Sequence, residues 1–138
     1  MSDCIFCQII AGQIPATRVF EDDRVLAFMD INPINDGHLL VIPKTHAPTI
    51  YDISPDELTA VMAAGKSLAH ALKKALDPAG LNLHQSNGRV ANQIVDHFHL
   101  HLIPRWPDDE FSKTMKWPLT AGDPEVINRT AEKIRAAL

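Results

Sequence analysis

The segment Asp96-His97-Phe98-His99-Leu100-His101-Leu102-Ile103-Pro104 decides how this chain is read. Histidine alternates there with large apolar residues. In an extended strand, alternate side chains point to opposite faces. The spacing therefore predicts a strand over 97–103, with Phe98, Leu100 and Leu102 in the core. His97, His99 and His101 then share the other face, with neighbouring Cβ atoms roughly 6–7 Å apart. Three imidazoles in a row suit either a metal or an anion. A neutral imidazole is also a competent nucleophile near its ordinary pKa of about 6.5.

The flanking sequence supplies four more strands. Arg18–Glu21 and 25–29 read as a hairpin turning at Asp22-Asp23. His38-Leu39-Leu40-Val41-Ile42 reads as a buried strand stopped by Pro43, and 81–86 as another. Ser54-Pro55-Asp56-Glu57 combines a capping serine, a proline at the first helical position and a capping-box glutamate. Leu58, Val61, Met62, Leu68, Leu72 and Leu76 then recur at helical spacing, which predicts a long helix over 55–76. A short helix is expected over 3–12. Asp123-Pro124-Glu125 opens a last amphipathic helix with Val126, Ile127, Ala131 and Ile134 turned inward. Between them, 106–122 reads as irregular. Hairpins are favoured over βαβ crossovers, so the expected class is α+β on an antiparallel sheet.

The 138 residues suffice for one domain with its own core. A net charge of −4 disfavours an electrostatic nucleic-acid binder. No run approaches the ~18 apolar residues that span a bilayer, and the N-terminus lacks a signal-peptide pattern. A cytoplasmic protein is expected. In a reducing compartment Cys4-x-x-Cys7, the only cysteines, read as metal ligands, a redox pair or two thiols rather than a structural disulfide.

The run His97-Phe98-His99-Leu100-His101-Leu102-Ile103 resembles the signature of the histidine triad (HIT) superfamily. So do Asn87-Gly88, Gln93, Ile103-Pro104-Arg105, Asp30, Gly37-His38, the Val41-Ile42-Pro43-Lys44-x-His46 segment and the opening Cys4-Ile5-Phe6-Cys7. The resemblance covers about residues 3–105. It implies a five-stranded HIT-like sheet with one long and one short helix over 1–105. A C-terminal extension, 106–138, is expected to pack on the same domain or on a dimer partner.

The resemblance also implies a nucleotide hydrolase or transferase of the phosphoramidase-like branch. His99 would attack the α-phosphorus of a nucleoside 5′-phosphoramidate or related conjugate, forming a nucleotidyl-histidine intermediate. His101 would contact the phosphate, and His38 would orient the cluster. Asn87 and Gln93 would hold the phosphate, and Asp30 the ribose hydroxyls. Phe6, Ile9, Phe28 and Ile31 would build the pocket for a purine base. Cys4, Cys7, His46 and His97 would hold a structural zinc, with no organic cofactor. A homodimer is implied, with neither nucleic acid nor membrane as partner. The other readings are a dinucleoside polyphosphate hydrolase and a nucleotide-binding module with little turnover. Where the family commonly has Gly-Gln-Ser or Gly-Gln-Thr, this chain has Asn92-Gln93-Ile94, and Asp96 replaces an apolar residue. These departures point to an altered substrate or slower turnover.

Overall fold

The computed structural model describes residues 3–117 and 120–138. Its centre is a five-stranded sheet in the order β1-β2-β3-β5-β4. The strands are β1 (Arg18–Glu21), β2 (Val25–Met29), β3 (Leu39–Pro43), β4 (Gly80–His84) and β5 (Leu100–Arg105). Every neighbouring pair is antiparallel. Helix α1 (Ile5–Ile10) precedes the sheet, α2 (Pro55–Leu76) joins β3 to β4, and α3 (Glu110–Thr114) and α4 (Pro124–Ala137) follow β5.

Strands β2 and β3 are continuous apolar runs because both faces are covered, and each of their ten residues is buried. One face, carrying Val25, Ala27, Met29, Leu39, Val41, Leu100 and Leu102, packs on Val61, Leu68 and Leu72 of α2 and on Ile127, Ala131 and Ile134 of α4. The C-terminal extension thus shares the main core. The other face, with Leu26, Phe28, Leu40 and Ile42, is covered by Phe6 and Ile9 of α1.

The boundaries of α2 match the expected ones, and the Ser54 hydroxyl accepts the Glu57 N–H at 3.2 Å. Asp22 closes the β1–β2 hairpin by accepting the Arg24 and Val25 N–H groups. Four expectations are corrected. Helix α1 is shorter than 3–12, because Cys4 caps it and Gly12, at φ +78°, turns the chain after it. Strand β4 ends at His84, two residues early, where Ser86 and Asn87 begin side-chain bonding of their own. The stretch read as irregular contains α3, capped by Asp109.

The fourth correction concerns the histidine strand itself. Strand β5 begins at Leu100, so His97 and His99 precede its ladder. The Phe98 N–H bonds Ala47 O at 2.7 Å instead of a strand partner, which bends the approach. The side-chain alternation survives: Phe98 stays in the core cluster with Leu100 and Leu102. His38 likewise precedes its strand, held in a turn by its N–H to Asn35 O.

Candidate active site and metal centre

Register across the sheet lines up Phe28, Leu40, His101 and His84 in one row, strand by strand. The row runs from the apolar patch beneath α1 to the exposed edge strand β4. His99 stands next to His101, with ring centroids 4.9 Å apart, and meets the Phe6 ring edge-on at 5.3 Å. Nucleophile candidate and apolar patch are therefore contiguous.

Hydrogen bonds fix the tautomers. His99 Nδ1 lies 2.7 Å from the His97 carbonyl. A carbonyl only accepts, so Nδ1 carries the proton and Nε2 keeps its lone pair. His38, fully buried, accepts the Ile34 N–H on Nδ1 at 3.0 Å, so its proton sits on Nε2. That Nε2–H donates to His101 Nδ1 at 2.9 Å and lies 3.4 Å from Asp30 Oδ2. His101 therefore holds its own proton on Nε2, as a donor. Burial pushes all three imidazoles down, His38 to about 3 and His101 to about 2, so each is neutral at pH 7. Burial raises the Asp30 carboxyl. Asp30, His38 and His101 lie close enough together to suggest a metal site. A protonated His38 Nε2 cannot ligate, and the cluster is a hydrogen-bonded chain.

A second cluster joins α1 to the sheet. Donor atoms of Cys4, Cys7, His46 and His97 all lie within 4.8 Å of one another. His97 Nδ1 is 3.4 Å from Cys4 Sγ, 3.6 Å from Cys7 Sγ and 3.2 Å from His46 Nδ1. Cys7 Sγ is 3.4 Å from His46 Nδ1. Zinc bonds of about 2.3 Å to sulfur and 2.0–2.1 Å to nitrogen build tetrahedral edges of about 3.5 Å (N···S) and about 3.3 Å (N···N). The donors fit that ion. His97 Nε2–H donates to Pro43 O at 2.8 Å, which leaves Nδ1 bare toward the cysteines and locks the ring.

The remaining candidates divide. Phe6, Ile9 and Phe28 form the buried patch, while Ile31 is exposed. Gln93 is buried and turned inward. Its Oε1 accepts the Gly88 N–H, and its Nε2 donates to Pro48 O and Val95 O. It braces the loop around the site from within. Asn87 is tied to other loop groups: its side chain bonds the Ile50 N–H and Gln85. Its neighbour Ser86 is buried and bonded to His84.

The departures from the family pattern also find their reasons. Asn92 adopts φ +69°, a left-handed conformation that asparagine tolerates nearly as glycine does. Asp96 pairs with Arg89 at 3.1 Å, whose guanidinium also donates to the Gln93 and Ile94 carbonyls and ties the loop together. His84 and Trp117 have partners that sequence reasoning did not assign. Trp117 packs on His101, His84 and His38, with centroids 4.9, 5.0 and 5.8 Å apart. Asp109 anchors the tail that carries it, accepting from Arg105, Asn35 and Ser112. Alternation along β4 was the available signal for His84; nothing local announced Trp117.

A histidine-rich sheet face beside a Cys/His cluster defines a protein of the histidine triad class. The HIT domain model matches residues 11–108, and the chain belongs to that family. The chain is 38% identical over 135 residues to the adenosine 5′-monophosphoramidase of Schizosaccharomyces pombe, covering 98% of each. A crystal structure of a Hit-like protein from Bartonella henselae matches with a TM-score of 0.88 at 39% identity, covering 99% of this chain and 97% of that one. A Zn-bound histidine triad protein from Mycobacterium smegmatis matches at 0.85 and 35% identity, covering 98% and 92%.

Proposed function

We propose that this HIT-family hydrolase cleaves nucleoside 5′-phosphoramidates or related nucleotide conjugates through a nucleotidyl-His99 intermediate. The observation that carries the reading is the His99 tautomer: Nδ1–H held by the His97 carbonyl, Nε2 unprotonated. That nitrogen attacks the α-phosphorus, and the His101 Nε2–H stabilises the charge gathering on the phosphoryl oxygens. Water then releases the nucleoside monophosphate. Asp30 binds the ribose, and Phe6, Ile9, Phe28 and Ile31 receive a purine base. The yeast relative's name as an adenosine 5′-monophosphoramidase supports the substrate class.

Zinc held by Cys4, Cys7, His46 and His97 belongs to the same reading. The ion fastens α1 and its Phe6 to the segment entering β5, and its chemistry there is structural. The exposed edge strand β4, with exposed Leu83, supports a homodimer formed along that edge. Cytoplasmic conditions would keep both thiols available to the metal.

The test is hydrolysis of adenosine 5′-phosphoramidate by wild type and by His99→Ala. The variant is expected to fold and to lose turnover, and quenched wild type to carry a nucleotidyl adduct on His99. Undiminished turnover by His99→Ala would sink the reading. Rates on diadenosine polyphosphates, measured alongside, separate the phosphoramidase from the polyphosphate hydrolase.

A further inference from the structure

We propose that Ser86, backed by His84, delivers a proton to the leaving group as it departs from phosphorus. The inference rests on the reading of His99 as nucleophile.

Placement comes from the β4–β5 ladder. Its pairs run from Gly80↔Arg105 to His84↔His101. The ladder ends at that pair; the same alternation carried two residues past it would set Ser86 across from His99, and the bond to His84 keeps Ser86 on the face of His84 and His101. The intervening Gln85 turns to its own neighbours, donating to Ser86 O and Asn87 Oδ1. Ser86 is buried, and its Oγ lies 2.9 Å from His84 Nε2. A buried hydroxyl thus stands on the histidine face of the sheet, with an imidazole behind it. His84 itself is solvent-exposed, so it exchanges protons with water. The Trp117 indole packs on both His84 and His101 and holds the two rings in place. No other side-chain hydroxyl is carried by 85–99, and Ile94, which follows Gln93, is exposed and offers no donor.

His99 Nε2 forms its bond to phosphorus as the P–N bond of the phosphoramidate breaks, and that electron pair stays on the departing nitrogen. The nitrogen takes the Ser86 Oγ proton. Ser86 takes the His84 Nε2 proton as His84 Nδ1 takes one from solvent, which leaves the ring with its proton on Nδ1. In the second half-reaction the relay runs backward, accepting a proton from the attacking water. His101 keeps its own donor on the phosphoryl oxygens throughout.

The experiment compares two adenosine 5′-phosphoryl substrates on the same enzyme preparation. One is the phosphoramidate, whose amine must be protonated to leave. The other is the p-nitrophenyl ester, whose phenolate leaves without a proton. In Ser86→Ala the ratio of phosphoramidate to ester kcat is expected to fall about 100-fold, within the range for general acid catalysis. His84→Gln, which keeps a donor to Ser86 but cannot relay a proton from solvent, is expected to lower the ratio about tenfold or more. Ser86→Thr is expected to restore it. A ratio unchanged in Ser86→Ala overturns the proposal, even if both rates drop through damage to the fold. Failure of the nucleophile reading is separate, since His99→Ala would then turn over both substrates.

Discussion

His38 carries no charge and touches no solvent, yet both its ring nitrogens are committed. One accepts the Ile34 N–H, and the other donates to His101. The chain of bonds sets which nitrogen of His101 bears a proton, so His38 acts on phosphate through its neighbour. His38→Ala is expected to leave the Ile34 N–H buried without an acceptor, costing about 1–3 kcal/mol. The same change is expected to lower kcat more than it raises KM, because His101 then samples both tautomers. Urea unfolding and steady-state kinetics on one preparation check both parts. Normal kcat in a folded variant would remove His38 from the mechanism. Gly37, just before it, has φ +88°, and a Cβ there would sit 2.6 Å from Leu76 Cδ1 and 3.0 Å from Pro104 Cγ. Only glycine lets the chain pass between α2 and β5 while delivering His38 to its place.

Helix α1 is six residues long, too short to persist alone. Phe6 and Ile9 bury against the sheet, and Cys4 and Cys7 reach His46 and His97. Metal is expected to supply much of what fixes this element. The purified chain is expected to contain about one zinc per protomer. Stripping it with a chelator is expected to cost about 2 kcal/mol or more, a fall in Tm of roughly 8 °C. Elemental analysis and thermal unfolding, repeated with Cys4→Ser, measure this. A metal-free protein with unaltered Tm would leave the four donors without that role. The loop 88–96 shows the opposite strategy: Arg89, Gln93 and left-handed Asn92 hold it with hydrogen bonds and the Arg89–Asp96 ion pair.

At the scale of the whole molecule, the buried histidines set how folding responds to acid. His38 and His101 are pushed down to about 3 and about 2 in the fold, against about 6.5 unfolded. Between those values the unfolded chain binds protons that the folded chain does not, so stability falls as pH drops below 6.5. Each such group contributes a slope of about 1.4 kcal/mol per pH unit. Denaturation midpoints are therefore expected to decline steeply from pH 6.5 toward pH 4. In a His38→Phe, His101→Phe double variant the decline is expected to be shallower. Equal slopes for the two proteins would mean that these rings are not buried neutral.

The pattern of apolar residues, caps and turns in the chain was enough to specify an antiparallel α+β sheet, the limits of α2, and the shared face of the triad. Those features follow from local rules, strand alternation and helix capping, which need no distant partner. The family resemblance likewise named His99, His101 and the Cys/His set as candidates from sequence alone. What the tertiary structure alone decided lies between residues far apart in sequence. It tied Asn87 to Ile50, joined Ser86 to His84, folded α3 on Asp109 and laid Trp117 over His84 and His101. Such placements depend on which strand lies next to which, and on where an anchored tail comes to rest. No run of neighbouring residues encodes either, because the contacts that fix them form only when the sheet is complete.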